Sequence, residues 1–542
     1  MALAISLGQA GLSATVIEQR RRGDPPSIKS NHISARSMEM FRRLGLVPAL
    51  RGAGMPDDYP NDVAYRTTMV GPELTRIEIP CRRDRYIATG GPDTGWATPE
   101  PPHRVNQIFM EPVLLDAMVA TPGITFLDEA GFESLEQDAD GVSATATRGG
   151  ETLHFRAKYL VGCDGGRSNV RRQIGAKLSG DAIVQRAQAT YIRAPELLGR
   201  MSTKRAWANF SMNPRRSGNV YAIDGRETWL VHNYMRDDEP EFGSVDRLPA
   251  LREILGVDAD FPFEVLHTED WFGRRLTVDK LREGRVFLAG DAAHLWVPYA
   301  GYGMNAGLAD ANDLGWQLIG LVKGWAGPAM LDAYERERLP ITEQVSHFAM
   351  SHSEKMAKQR GAIPANIEDD TPEGAAARAE MGERAYRLNV QQYCCEGLNF
   401  GYYYDQSPVI AYDGERAPEY GMGEYTPSTV PGCRMPHFWL GKGRSLYDAL
   451  GEAYTLVRFD ASRDVAPLET AMRANGVPLA IVDADRTEQP GLFAHDLFLV
   501  RPDQHVAWRG DNIPAGAEAL VQLLRGGGEP SQSPVAGREG SF

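Results

Sequence analysis

One segment constrains the fold of this chain more than any other, residues 284–318, GRVFLAGDAAHLWVPYAGYGMNAGLADANDLGWQL. An apolar strand runs into Gly290 and Asp291, a loop rich in Gly and Pro follows at residues 296–303, and an amphipathic helix starts near Met304. An acid at a strand end offers a carboxylate to hydroxyl groups, and the unpaired N–H groups of a helix N-terminus stabilise negative charge. The segment therefore predicts a site for an anionic ligand or an electron-rich ring.

The opening residues predict part of a dinucleotide-binding βαβ unit. Apolar residues within 2–10 fit a helix ended by Gly11, and residues 13–18 fit a short buried strand. In such a unit the acid after the second strand binds a ribose hydroxyl, and Glu18 occupies this position. The alternative interpretation of Glu18 is an ordinary exposed carboxylate. The first strand and the Gly-rich phosphate loop would precede Met1, so we expect that the chain as given is truncated.

Three other segments carry polar residues that suit either a ligand or solvent. Residues 31–46 have helical spacing, with Arg36 near the helix start, where it could reach a phosphate. Residues 104–121 are helical in pattern and carry Gln107 near their start. Alternation in residues 141–166 predicts a hairpin and a strand that ends at Asp164.

Residues 189–267 alternate between apolar and polar positions in several short runs separated by turns. This pattern predicts a mostly antiparallel sheet inserted between two α/β portions, which we interpret as a substrate domain. Trp229, His232 and Tyr234 lie in this region. Aromatic residues at strand spacing belong to the core more often than to a pocket, so both interpretations of these three stay open.

Charge and cysteine usage exclude several classes of protein. The chain has 542 residues and a net charge of −14, which disfavours nucleic acid and anionic membrane as partners. No apolar run approaches the roughly 20 residues needed to span a bilayer. The five cysteines lack paired spacing, which argues against disulfides and against a metal site. We expect a cytoplasmic protein that binds small molecules and no metal.

These motifs, in this order, resemble the class A flavoprotein monooxygenases, in the branch of FAD-dependent aromatic hydroxylases with a thioredoxin-like C-terminal domain. The resemblance rests on the GDAAH stretch with Asp291 and His294, on Asp164 and Gly165 with Ser168 and Arg171, and on the GYGMN stretch. It implies an α/β fold, α+β in part: a Rossmann-like FAD-binding domain, an inserted mostly antiparallel substrate-domain sheet, and the thioredoxin-like domain.

With this resemblance the chain divides into five parts. The expected parts are an FAD-binding domain of residues 1–52, 104–188 and 276–365, a substrate domain of residues 53–103 and 189–275, a helical connecting segment of residues 366–429, a thioredoxin-like domain of residues 430–525, and a disordered tail of residues 526–542. Cys433 stands alone and no C-x-x-C motif exists, so the thioredoxin-like domain should be redox-inert.

The resemblance also implies the roles of individual residues. The positions that match the family's FAD contacts are Glu18, Arg36, Gln107, Asp164, Asp291, Pro298, Gly303, Met304 and Asn305. Pro298 also matches the loop proline beside the flavin ring, which gives it a catalytic role. In phenol-hydroxylase relatives an acid lies shortly before the arginine of the first helix, where this chain has Asn31 and His32. The resemblance therefore does not identify the catalytic base, and we take His32 and Tyr234 as candidates for it.

The implied activity is hydroxylation of a phenolic or other electron-rich aromatic substrate with O2 and NADPH or NADH, through a flavin C4a-hydroperoxide. NAD(P)H would bind a groove near Arg36 and Arg171, and the enzyme could form a homodimer. A related flavoprotein that performs epoxidation or another oxidation, or a non-catalytic truncated homologue, is the alternative.

Overall fold

The computed structural model describes residues 1–297, 301–486 and 491–528. Within these residues the chain has the mixed α/β fold that the sequence predicts. The α-helices are α1 Ala2–Gln9, α2 Ala35–Arg43, α3 Val47–Gly52, α4 Gln107–Ala120, α5 Asn169–Gln173, α6 Leu197–Arg200, α7 Arg247–Leu255, α8 Tyr302–Lys323, α9 Met330–Gly361, α10 Pro372–Tyr393, α11 Glu396–Phe400, α12 Ala466–Ala474 and α13 Ala517–Leu524. The strands are β1 Ala14–Ile17, β2 His32–Ile33, β3 Val63–Arg66, β4 Glu73–Ile77, β5 His103–Arg104, β6 Ile124–Leu127, β7 Ala130–Gln137, β8 Val142–Arg148, β9 Glu151–Ala157, β10 Leu160–Gly162, β11 Leu178–Arg193, β12 Ala208–Ser211, β13 Gly218–Ala222, β14 Thr228–Tyr234, β15 Glu264–Val278, β16 Arg282–Glu283, β17 Val286–Leu288, β18 His294–Leu295, β19 Tyr454–Arg458, β20 Leu479–Asp483, β21 Leu497–Val500 and β22 Val506–Gly510.

Two small sheets with parallel pairs form the core of the nucleotide-binding part. β1 pairs in parallel with β6, and β10 pairs in parallel with β17. Helix α1 packs against both α4 and α8. Met1, which precedes α1, has a buried amino group; burial lowers its pKa, against the charges of Cys163 after β10 and of Glu18 after β1, which raise it. The ends of the two strands therefore meet at the N-terminus of α1, where βαβ units bind phosphate groups.

An eight-stranded sheet forms the inserted part, in the order β18-β15-β11-β14-β13-β12-β3-β4. All neighbouring strands are antiparallel except β12 and β3, as the alternating sequence predicts. The long strands β11 and β15 run across the expected domain boundaries at residues 188 and 275. The sheet thus continues into the nucleotide-binding part through β18, which follows the Gly290–Asp291 turn.

The long helices α9 and α10 pack against this sheet. Helix α9 contacts β15, and α10 contacts the edge strand β4. The side chains between them form a large apolar core that includes Trp229, Tyr65 and Phe210, the last two stacked with ring centroids 4.9 Å apart. Neither these helices nor any other in the described ranges is long and apolar enough to cross a membrane.

The C-terminal part is the predicted thioredoxin-like α/β unit. Its four-stranded sheet has the order β20-β19-β21-β22, and α12 packs against α13 beside it. The core of this unit extends to Trp316 of α8, whose ring lies 6.2 Å from that of Tyr454 on β19. Cys433 is buried and forms no disulfide with any residue that the structure describes. Of the predicted tail, residues 529–542 lie outside the described residues.

Candidate active site

The Gly290–Asp291 turn and helix α8 approach each other through two glycines. Gly290 has a φ of +61°, a left-handed conformation that an L side chain rarely adopts. A Cβ atom added at Gly307 of α8 would lie 3.1 Å from the Cα of Gly290. The side chain of Asp291 is exposed at this turn. The contact between the glycines therefore places an accessible carboxylate close beside α8.

A buried carboxylate, Asp310, holds this turn. It accepts hydrogen bonds from the backbone N–H of Gly290 at 3.0 Å, from His294 Nε2 at 2.8 Å and from Arg338 Nε at 3.0 Å. Burial alone would raise the pKa of Asp310, but the charges of His294 and Arg338 and these hydrogen bonds outweigh it and lower the pKa to about 2. Sequence reasoning missed Asp310. An acid on the apolar face of α8 would have indicated a buried carboxylate with partners.

Asp164, a predicted cofactor contact, caps a helix in this structure. Its carboxylate accepts hydrogen bonds from Ser168 Oγ, from the N–H of Asn169 at 2.7 Å and from the N–H of Val170 at 3.0 Å, at the start of α5. Arg171 of α5 then donates to the carbonyl oxygen of Ala292 at 2.9 Å. The two predicted motifs are thus joined by hydrogen bonds, and the described contacts of Asp164 are with α5.

Glu18 and Gln107 lie on one rim of the site, linked through two other side chains. Arg20 donates its backbone N–H to Glu18 Oε1 and its Nη2 to Glu111 Oε1, both at 2.9 Å. Glu111 Oε2 accepts a hydrogen bond from Gln107 Nε2 at 3.0 Å. The structure therefore brings together two predicted residues that the sequence separates by almost ninety positions.

The first turn of α8 is tied to the strand β2. Asn305 accepts a hydrogen bond from the N–H of Ser34 at 2.9 Å and donates to the carbonyl oxygens of His32 at 3.1 Å and Gly301 at 2.6 Å. Met304 Sδ accepts one from Ser30 Oγ at 3.4 Å. No described heavy atom lies within 4 Å of a Cβ added at Gly303. The helix N-terminus is thus fixed, and among the described residues the space at the Cβ position of Gly303 is open. Pro298 lies outside the described residues.

Comparison with known proteins decides the family. The FAD binding domain family matches residues 1–349, and the aromatic-ring hydroxylase C-terminal family matches residues 428–527. The chain belongs to the class A flavoprotein monooxygenases. It is 30% identical to a FAD-dependent monooxygenase of Emericella nidulans, over 98% of this chain and 88% of the relative. It is 29% identical to phenol 2-monooxygenase of a Pseudomonas strain, over 98% and 91%.

A solved structure supports the same assignment. The rebeccamycin biosynthetic enzyme RebC with reduced flavin superposes with a TM-score of 0.86 at 32% identity, over 97% of each chain. The protein is therefore an FAD-dependent enzyme. The residues described above fit the cofactor, because the exposed Asp291 and the open first turn of α8 leave room that side chains would otherwise fill.

Arg36 of the monooxygenase does not present its guanidinium to a phosphate, contrary to what its place near a helix start suggests. It is 3% exposed and donates to Tyr402 Oη at 3.2 Å, to Glu39 at 3.1 Å and to the carbonyl oxygen of Asp503. Arg171 likewise donates to backbone carbonyls. Both guanidiniums therefore have partners within the chain, and the NAD(P)H groove near these two arginines stays a prediction.

His32 lies against the loop that precedes α8. A Cβ added at Gly301 would lie 3.2 Å from His32 Cβ, and His32 Nδ1 accepts a hydrogen bond from Arg104. Burial, followed by the charges of Arg104 and Arg85, lowers the pKa of His32 well below its ordinary value. The imidazole of the monooxygenase is therefore neutral near pH 7, with one ring nitrogen facing a cation.

Tyr234, the other candidate base, lies on the sheet face that carries His232, Tyr221 and Trp271. Its hydroxyl accepts a hydrogen bond from Asn219 at 3.0 Å, and the guanidinium carbon of Arg360 lies 4.6 Å from its ring centroid. His232 packs edge-on against Tyr221 at 5.8 Å and against Trp271 at 5.6 Å. This aromatic face belongs to the inserted sheet, whereas His32 belongs to the nucleotide-binding part.

Proposed function

We propose that this monooxygenase hydroxylates a phenolic or other electron-rich aromatic ring with O2 and NAD(P)H. One observation carries the proposal. The N-terminal turn of α8, which lies within the region that matches the FAD binding domain family, is in the same molecule as a sheet face rich in aromatic side chains. The relatives with phenol and polyketide substrates in their names support the substrate class. The protein itself supplies binding, orientation and exclusion of water.

The proposed FAD contacts follow from accessibility. Asp291 would bind hydroxyl groups of the cofactor, and the rim of Glu18 and Gln107 would bind its ribose side. The flavin ring would lie against the first turn of α8, which places it beside Gly303, Met304 and Asn305. Pro298, which lies outside the described residues, stays a proposed contact through the family resemblance alone. Asp164 would act indirectly, by positioning α5 and Arg171. When bound, FAD supplies the electron transfer from NAD(P)H and the activation of O2.

The chain's own groups have three tasks in this reaction. The N–H groups at the start of α8 stabilise negative charge on the ring that lies against them. The buried walls of the sheet keep water out. In a neutral His32 whose Nδ1 accepts a hydrogen bond from Arg104, the ring proton is on Nε2, so the only basic nitrogen faces a cation and His32 is a weak base. The hydroxyl of Tyr234 is the second candidate for moving the phenolic proton.

The remaining expectations extend this proposal. We propose the five-part domain division given above, a cytoplasmic location and a homodimer. The cysteines support the location, because all five lie in the described residues and none of them forms a disulfide there, as is typical of a reducing compartment. Sedimentation of the FAD-loaded protein measures the oligomeric state directly.

The proposed function is tested by turnover. The FAD-loaded protein is incubated with NADH or NADPH, 18O2 and a panel of phenols, naphthols and polycyclic phenols, and the products are analysed by mass spectrometry. We expect one atom of labelled oxygen in a hydroxylated product. Oxidation of NAD(P)H with no labelled product from any member of the panel would contradict the proposal, and an epoxide product would favour the alternative oxidation.

A further inference from the structure

Arg104 is a buried arginine whose charge is not balanced by a nearby acid. It is 4% exposed, and it donates hydrogen bonds to His32 Nδ1 and to the carbonyl oxygen of Tyr393, the latter at 3.4 Å. Among the described residues, no carboxylate lies within ion-pair distance of it. Arg36, Arg434 and Arg501 are buried to a similar degree, and each of them contacts a carboxylate.

The nearest acid cannot balance this charge. Asp93 accepts a hydrogen bond from Arg85 Nη1 at 2.6 Å and another from Trp96 Nε1 at 2.9 Å, so it is already paired. His32 is neutral, as described above. Arg85, Asp93 and Arg104 together therefore carry one uncompensated positive charge. Burying such a charge is costly unless an anion completes the site.

The position of Arg104 indicates which anion that is. Its guanidinium carbon lies 5.0 Å from the ring centroid of Trp207 and 5.9 Å from that of Tyr393. Trp207 stands at the start of β12 and packs against Tyr221 at 5.2 Å, on the aromatic face of the inserted sheet. On the other side, the contact with His32 leads to Gly301 and the first turn of α8. Arg104 therefore lies between the loop assigned to the flavin and the sheet assigned to the substrate.

We propose that Arg104 binds an anionic oxygen group, a carboxylate, on the aromatic substrate. This inference rests on the proposed function and adds the substrate class to it. A guanidinium donates two parallel hydrogen bonds to a carboxylate, and the rings of Trp207 and Tyr393 hold it in place by cation–π contacts. His32 then serves as a positioning residue, because its Nδ1 accepts one N–H and leaves the others for the substrate.

The experiment compares matched ligands on the FAD-loaded protein. The probes are hydroxylated aromatic acids and their carboxamides, 2-hydroxybenzoate with 2-hydroxybenzamide and 1-hydroxy-2-naphthoate with 1-hydroxy-2-naphthamide, and binding is followed by the change in the flavin spectrum. We expect the wild type to bind each acid at least about 30-fold more tightly than its amide. Arg104→Gln should abolish this preference while leaving amide binding within a few-fold, and Arg104→Lys should keep part of it.

Controls separate the possible failures. Arg226→Gln removes an exposed positive charge from the same sheet and should leave the preference unchanged. A preference that survives in Arg104→Gln, or equal loss for acids and amides, would overturn the proposal. A third result would also overturn it: substrate-free Arg104→Gln has a lower flavin reduction potential while its preference for acids over amides is unchanged. The charge of Arg104 would then balance the reduced cofactor and not the substrate. If no aromatic probe binds the FAD-loaded wild type, the proposed function fails as well.

Discussion

Glu337 on α9 accepts two hydrogen bonds from Arg501, at 2.6 Å and 2.7 Å, and so joins the FAD-binding family region to the C-terminal family region. The same guanidinium donates to Asp313 at 3.0 Å and to Asp503 at 2.6 Å. All of these groups are at most 2% exposed. A single arginine thus holds three carboxylates from two parts of the chain.

Replacing Arg501 by Met should destabilise the protein strongly. The substitution leaves three buried carboxylates without their shared cation, and breaking a buried ion pair costs about 3–5 kcal/mol. The free energy of unfolding, measured by urea titration of the FAD-loaded protein, should fall by at least this amount. Arg458→Met is the matched control, since Arg458 pairs with the exposed Asp483, and its cost should stay below about 1 kcal/mol. Equal effects of the two substitutions would contradict this role of Arg501.

The stability of the fold should decrease as the pH falls below neutrality, in part through His232. Burial lowers the pKa of His232 from 6.5 to about 4, so in this range the unfolded state binds a proton that the folded state does not. The contribution of His232 to the free energy of unfolding is complete above the ordinary pKa of 6.5. It is lost as the pH falls toward 4, at about 1.4 kcal/mol per pH unit. His232→Gln should therefore make the fall in unfolding temperature between these pH values less steep.

His154 provides the control for this pH experiment. It is exposed on β9, so His154→Gln should leave the pH dependence as it is in the wild type. If the unfolding temperature of His232→Gln falls with pH as steeply as that of the wild type, the imidazole of His232 is not buried in the neutral form.

A methyl group at Gly307 should weaken FAD binding. It would lie 3.1 Å from Gly290 Cα, and overpacking of this kind costs about 1–3 kcal/mol, so Gly307→Ala should push the Asp291 turn away from α8. The dissociation constant of FAD, measured by flavin fluorescence, should rise about ten-fold. Gly315→Ala is on the same helix with its nearest neighbour at an ordinary 3.5 Å, and it should leave FAD affinity unchanged. Equal affinities for both variants would argue against the close contact.

The sequence was most informative where the signal is local. The strand before Gly290, the helix that begins at Tyr302 and the alternation of the inserted sheet were predicted because each depends on neighbouring residues. The sequence predicts both Glu18 and Gln107 as cofactor contacts. It does not predict that Arg20 and Glu111 link them, because this link depends on the tertiary fold.

The sequence was least informative where partners are distant along the chain. Arg36 donates to the carbonyl of Asp503, so its burial depends on a contact between residues more than four hundred positions apart. Arg104 is not identified by the sequence for the same reason. The environment of its charge depends on Trp207 and Tyr393, which are distant from it along the chain, and on Asp93, all of which the fold brings close to it in space. The C-terminal region thus contacts Arg36, a residue predicted for the site, and motif matching does not reveal this contact.

The central claim is that the exposed Asp291, held by the Gly290 turn beside α8, binds FAD. Its most direct test is the visible absorption spectrum of the purified protein after incubation with FAD and removal of free cofactor, with the released flavin identified. We predict the flavin absorption bands and one FAD per chain in the wild type and in the control Asp238→Ala, which removes an exposed acid elsewhere, and their loss in Asp291→Ala. Full FAD occupancy in Asp291→Ala, or a wild type that binds no FAD, would contradict the account.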